Sequence, residues 1–181
     1  MMEVRDLTGS AGRIAAIAAL TLGALTAHAP AQTDGAEFLS AYAGEWRGSG
    51  ETRPDPRSEP TRVTCRVSAI FDENAGALRN KGRCGTTRGT RDLNGTLRLD
   101  GANLTGDFLG QAAASGLVNP RARIDQNMIV SEAEVPDGAK MVRVRTFLTH
   151  PEDGSFRVQS QYFDRDANQW IVAGELEFTR Q

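Results

Sequence analysis

Histidine is almost missing from this chain of 181 residues: only His28 and His150 occur. A histidine-dependent catalytic triad or a multi-histidine metal site therefore has too little material to assemble. No GxSxG, HExxH or Walker-type phosphate loop occurs either, which removes the strongest signatures of serine hydrolases, zinc peptidases and P-loop enzymes. An excess of charge is absent as well. With 21 basic against 23 acidic residues and a formal net charge of −2, there is no overall field to draw the chain to nucleic acid or an anionic membrane. The positive charge is carried almost wholly by arginine, since Lys81 and Lys140 are the only lysines. Long apolar runs are lacking too: the stretch 14–25 is too short for a permanent spanning helix, so no stable membrane insertion is expected.

What is present begins with a leader-like N-terminus. Arg5 and Arg13 precede that apolar stretch, and Ala27, Ala29 and Ala31 supply the small residues of a cleavage region. This predicts a cleaved signal peptide over 1–31, one domain over 32–181, and a periplasmic or secreted location. Export gives meaning to the only cysteines, Cys65 and Cys84, because an oxidising compartment permits a bridge. If 61–71 and 77–84 form a hairpin centred between Asn74 and Ala75, Cys65 falls directly opposite Cys84, within disulfide range. With no CxxC pattern and no nearby histidine, the pair reads as a structural disulfide rather than a redox or metal site.

The rest of the chain is patterned as strands. Residues 32–43 place Phe38, Leu39 and Tyr42 among polar neighbours, which suits a short helix or turn plugging one end of a barrel. Gly44-Glu45-Trp46-Arg47-Gly48-Ser49-Gly50 follows as a first strand, broken by a proline-rich loop at 53–60. Val63, Cys65, Val67, Ala69 and Phe71 then alternate with Arg62, Thr64, Arg66 and Ser68, the pattern of a half-buried strand. Turn signals such as Asn94-Gly95, Asp100-Gly101 and Asp137-Gly138 recur at short spacing. Later strands place Val142, Val144, Thr146 and Leu148 on one face, then Phe156, Val158, Ser160 and Tyr162, then Trp170, Val172, Gly174, Leu176 and Phe178. The fold class expected is all-β: an antiparallel up-and-down barrel of about 8–10 strands with a short N-terminal helix. The Ala/Gly/Ser-rich stretch 110–120 fits no strand and reads as a loop or lid.

Strand parity directs Trp46, Asn80, Thr146, Ser160, Tyr162 and Trp170 into the barrel, making them candidate ligand-binding residues among aliphatic neighbours. A solidly filled core is the competing outcome. His28 leaves with the leader, and His150 beside Pro151 reads as a solvated turn residue. Asp164, Asp166, Asn168 and Glu175 match the spacing of an EF-hand loop, but Gln169 occupies its glycine position and the flanks are strands, so a polar hairpin and no metal is expected. Arg143 and Arg145 alternate with an apolar face and are expected to point into solvent.

The order of a short N-terminal turn, Gly-x-Trp at Gly44-Glu45-Trp46 and a run of antiparallel strands resembles the calycin superfamily of lipocalins and their relatives. That resemblance implies that Trp46 closes one end of the barrel and that Arg180 packs across it. The stretch 44–50, followed by a proline-containing loop, also looks like the opening of the nitrobindin-type haem barrels. Those use a histidine near the C-terminal strands as iron ligand, and 169–181 contains none, so no haem and no other cofactor is expected. A looser similarity to the bacterial metalloprotease-inhibitor barrel rests on Trp46, Cys65 and Cys84. Together these readings predict an exported, non-enzymatic barrel that binds a small, largely apolar molecule in its interior. The alternative is a protein-binding scaffold, such as an inhibitor of an exported hydrolase or an envelope-assembly factor.

Overall fold

The computed structural model describes residues 35–53, 58–109 and 116–181. The leader expected over 1–31 lies outside them, as do 54–57 of the proline-rich loop and 110–115. A one-and-a-half-turn helix, α1 (Gly35–Ser40), precedes ten strands: β1 (Gly44–Thr52), β2 (Thr61–Asp72), β3 (Ala77–Thr86), β4 (Gly89–Asp100), β5 (Asn103–Asp107), β6 (Val118–Asp125), β7 (Met128–Asp137), β8 (Lys140–Thr149), β9 (Ser155–Asp164) and β10 (Gln169–Arg180). Each strand pairs antiparallel with the next, and β10 pairs back to β1. Among the described residues the barrel is closed, so each of these strands has a partner on both sides. This is the all-β up-and-down architecture of a calycin-like barrel. Because β6 begins at Val118, the end of the stretch assigned from composition to a loop is strand instead.

Alternation explains which side chains face inward. On β2, Val63, Cys65, Val67 and Ala69 are buried while Arg62, Thr64, Arg66 and Ile70 are exposed. The β2–β3 register sets Cys65 opposite Cys84, and the two are bonded. On β8 and β9, Val144, Thr146 and Leu148 stand opposite Tyr162, Ser160 and Val158, so the two predicted inward faces meet. β10 departs from simple alternation. Its register with β9 shifts between Val172 and Gly174, leaving Ala173 as an inserted residue, and a bulge of this kind exchanges the faces on its two sides. Ala173 is held there by its carbonyl, which accepts from the backbone N–H of Arg53 at 2.6 Å. Gly174, Leu176 and Phe178 keep the inward face, but beyond the bulge Ile171 opposes Tyr162 and Trp170 opposes Phe163 on the outside. Trp170 is therefore corrected from the interior to the outer wall.

One end of the barrel is packed shut. Phe38 and Leu39 of α1 and the following Tyr42 are buried beneath it. Tyr42 donates its hydroxyl to the Thr149 carbonyl at 2.9 Å, and Trp46 donates Nε1–H to the Tyr42 carbonyl at 2.8 Å. Burial pushes the Tyr42 hydroxyl well above the usual tyrosine range. Phe156 meets Trp46 edge-on at 4.7 Å and stacks on Phe178 at 4.8 Å. Position 48 has to be glycine for this stack, because a Cβ there would collide with the Phe178 ring. Arg180 stands opposite Trp46 in register, with its guanidinium 4.3 Å from the indole centroid. It also donates to the carbonyls of Ala43 at 2.7 Å and Ala41 at 3.0 Å, tying the last strand to the turn after α1. His150 is half-buried rather than solvated: its ring lies 4.6 Å from that of Phe38 and 6.3 Å from that of Tyr42, because α1 folds down over the turn that carries it.

Candidate functional site

The half of the barrel away from α1 is hollow. A cavity of about 450 Å³ lies between the end of β1 and the walls formed by β7, β8 and β9. Small-molecule pockets generally span about 300–1,000 Å³, so the void is of useful size. Its floor is Phe108, flanked by Leu97, Ile129 and Leu148, all buried. Phe108 is held there by a clasp. After Asp107 the chain turns inward over Gly95, where a side chain would strike the carbonyls of Asp107 and Phe108. Asn80, buried among apolar groups, donates Nδ2–H to the Phe108 carbonyl and accepts at Oδ1 from the Gly95 N–H at 3.0 Å. Both ends of the amide are thus engaged by backbone, as burial of a polar group requires.

Across the walls runs a belt of hydroxyls at one level. Strand register aligns Ser131 with Thr146, Thr146 with Ser160, Ser160 with Gly174, and Gly174 with Thr52. Ser131, Thr146, Ser160 and Thr52 all line the cavity. Thr146 Oγ1 and Ser160 Oγ are 3.4 Å apart, and Thr52 Oγ1 donates to the Ala173 carbonyl at 3.5 Å. Nearer the mouth the walls are Ala133, Val135, Val142 and Val144, with Tyr162 beside them. Charge is kept to the periphery. Arg53 and Asp137 stand at strand ends, Asp107 accepts from the Leu109 N–H at 2.9 Å, and Arg145 turns outward to stack 4.1 Å over Trp170. The interior therefore offers apolar area and neutral hydrogen-bonding groups.

No family model and no curated protein matches the chain. A solved structure shares its fold. The S-type phycobiliprotein lyase CPES from Guillardia theta aligns with a TM-score of 0.55 over 80% of this chain and 91% of that chain, at 9% identity. At that identity the likeness concerns the fold: it supports a calycin-like barrel and does not single out the lipocalins or the nitrobindin type. It also corrects the expectation of a non-enzymatic protein, because the same barrel serves a protein named as a lyase. The architecture carries no argument against catalysis.

Of the residues picked from parity, Thr146, Ser160 and Tyr162 come together in the cavity wall. Trp46 lies in the packed end and Asn80 in the clasp, neither of them lining the void. Trp170 is outside, between Arg145 at 4.1 Å and Arg143 at 5.3 Å, with Phe163 edge-on at 5.3 Å. Arg143 and Arg145 do face outward, but they cover aromatic rings rather than standing free. Ser131 and Thr52 were missed, although the alternation Ile129, Ser131, Ala133, Val135 on β7 carries the signal for the first. The Asp164 carboxylate accepts from the N–H groups of Asp166 at 2.9 Å and Ala167 at 3.0 Å, as a turn cap does. Glu175 lies on β10 and accepts from Gln159 at 3.1 Å, so these acids form no common site.

Proposed function

We propose that this chain is an exported barrel that takes up a small, largely apolar molecule through the end opposite α1 and holds it against the hydroxyl belt. The observation that supports this is the cavity of about 450 Å³ with Ser131, Thr146, Ser160 and Thr52 level on its wall. Apolar contact contributes about 25 cal/mol per Å² removed from water, so affinity would come from Ala133, Val135, Val142, Val144 and Phe108. The belt supplies orientation: a ligand with a carbonyl, hydroxyl or amide edge can pair with it, whereas one that buries an unpaired charge is disfavoured. Export rests on the composition of residues 1–31.

The test is native mass spectrometry of protein purified from the envelope of its own cells, beside a Ser160→Trp variant. The parent should retain a bound small molecule, and its N-terminus should begin near Gln32. The indole at position 160 fills much of the space, so the variant should lose the ligand or weaken it by more than about tenfold while keeping its strand spectrum. A parent that carries no ligand and shows no saturable uptake of apolar fluorescent probes would overturn the reading.

A further inference from the structure

On the outer wall, away from the cavity, three like charges stand in one row. Arg47 is paired with Arg66 in strand register, and Arg66 with Arg83. All are exposed on the same face of β1, β2 and β3. Directly opposed residues on neighbouring strands hold their Cβ atoms about 4.5–5.5 Å apart, and like charges at that distance oppose folding. The row ends at Asp92, which stands opposite Arg83 and accepts from its Nε at 2.7 Å. Asp92 balances one guanidinium. Among the described residues, the side chains of Arg47 and Arg66 make no ion pair and no hydrogen bond.

The next row on the same face is neutral and small. Register places Ser49 opposite Thr64, Thr64 opposite Gly85, and Gly85 opposite Thr90. Gly85 has no side chain, so the surface dips between Thr64 and Thr90, and the arginines and hydroxyls together border a basin of about 670 Å³. Glu177, opposite Ser49, closes one corner and repels an anion from it, which directs the free space toward Arg66.

We propose that this basin binds a multivalent phosphate-type oxyanion, with Arg47 and Arg66 holding its oxygens and Ser49, Thr64 and Thr90 donating hydroxyl hydrogen bonds. Guanidinium forks pair bidentately with tetrahedral oxyanions, and every basic group in the row is arginine. Arg47 and Arg66 stand on strands about 4.8 Å apart, and the row of Ser49, Thr64 and Thr90 beside them extends the donors from β1 to β4, a spread that suits two linked phosphates better than a single carboxylate. An anion seated here would also remove the like-charge opposition within the row. The phosphates can belong to a soluble compound or to a lipid headgroup, and the two sources separate by experiment.

The full chain, its leader removed, and an Arg47→Ser/Arg66→Ser variant are titrated with inorganic pyrophosphate by calorimetry and by thermal melting, against sodium chloride at equal ionic strength. Phosphatidylcholine vesicles with and without phosphatidic acid form the second arm. Saturable pyrophosphate binding that is at least about tenfold weaker in the variant supports the site with a soluble ligand. Binding confined to phosphatidic-acid vesicles, and lost in the variant, supports the same chemistry with a headgroup as its source. Without added anion, at low salt, the variant should melt no lower than the parent, because its substitutions relieve repulsion. A purely structural pair of arginines would give a lower melt. Thr64→Glu, which sets a carboxylate in the basin and leaves both arginines in place, should abolish binding. Pyrophosphate and vesicles that act no differently from sodium chloride, or equally on parent and variants, would overturn the proposal.

Discussion

Replacing both Cys65 and Cys84 with alanine isolates what the bridge contributes. The cysteines are 19 positions apart, and closing a loop of that size in the unfolded chain is worth about 3 kcal/mol at 25 °C in the chain-entropy account. Cys65 is almost wholly buried, so alanine also leaves a sulfur-sized void that costs about 1 kcal/mol more. Alanine is preferred to serine here because a serine hydroxyl at the buried position would add a desolvation penalty that belongs to neither term. The expected loss is about 3–4 kcal/mol. In urea, with an m-value of about 2 kcal/mol/M, the midpoint should fall by about 1.5–2 M. The variant's m-value should rise slightly, since an uncrosslinked unfolded chain exposes more surface. Treating the parent with reductant should bring it to within about 1 kcal/mol of the variant, the remainder being the void. If oxidised and reduced parent unfold at the same urea concentration, the bridge does not restrict the unfolded chain as reasoned.

Arg180→Ala removes the contact 4.3 Å over Trp46 and two charged hydrogen bonds to Ala41 and Ala43, and should cost about 1–3 kcal/mol in urea unfolding. A double-mutant cycle with Trp46→Phe should return a coupling of about 0.5–2 kcal/mol, and a loss under about 0.5 kcal/mol for the single variant would remove Arg180 from the closure. Tyr42 gives a signed pH dependence. Burial raises its pKa in the folded chain, so the unfolded chain releases the proton first, near the ordinary value of 10.0. Stability from this group is complete below pH 10 and declines above it by about 1.4 kcal/mol per unit. Tyr42→Phe should flatten that alkaline limb while costing about 1–2 kcal/mol at neutral pH for the lost bond to Thr149. Equal alkaline slopes in parent and variant would show that the hydroxyl is not held protonated by the fold.

Alternation was legible wherever a strand runs without interruption. Val63, Cys65, Val67 and Ala69, then Val142, Val144, Thr146 and Leu148, then Phe156, Val158, Ser160 and Tyr162 face the interior as their spacing requires, and the hairpin register that joins Cys65 to Cys84 follows from the turn after Asp72. Trp170 failed for a definite reason. One inserted residue, Ala173, changes parity, and an alanine among Val172 and Gly174 gives no compositional sign that its carbonyl will be taken by Arg53 on another strand. Asn80 is buried, but its amide is taken up by backbone, because parity says which way a side chain points and not which backbone group 28 positions later will meet it. The belt was half readable: Thr146 and Ser160 stand out on their strands, whereas its continuity to Ser131 and Thr52 depends on register among five strands.

The clasp of Asn80, Gly95 and Phe108 divides the barrel across its middle, and that division separates two kinds of tolerance to change. Below Phe108, Trp46, Tyr42, Phe156 and Phe178 are locked ring against ring, so almost any substitution there must open a void or force an overlap. Above it, Ala133, Val142 and Val144 border the cavity and have room on that side to grow or shrink. A lineage carrying this barrel could exchange one guest for another through changes at Ala133, Val142 or Val144 alone, with folding left in the keeping of residues that never meet the guest.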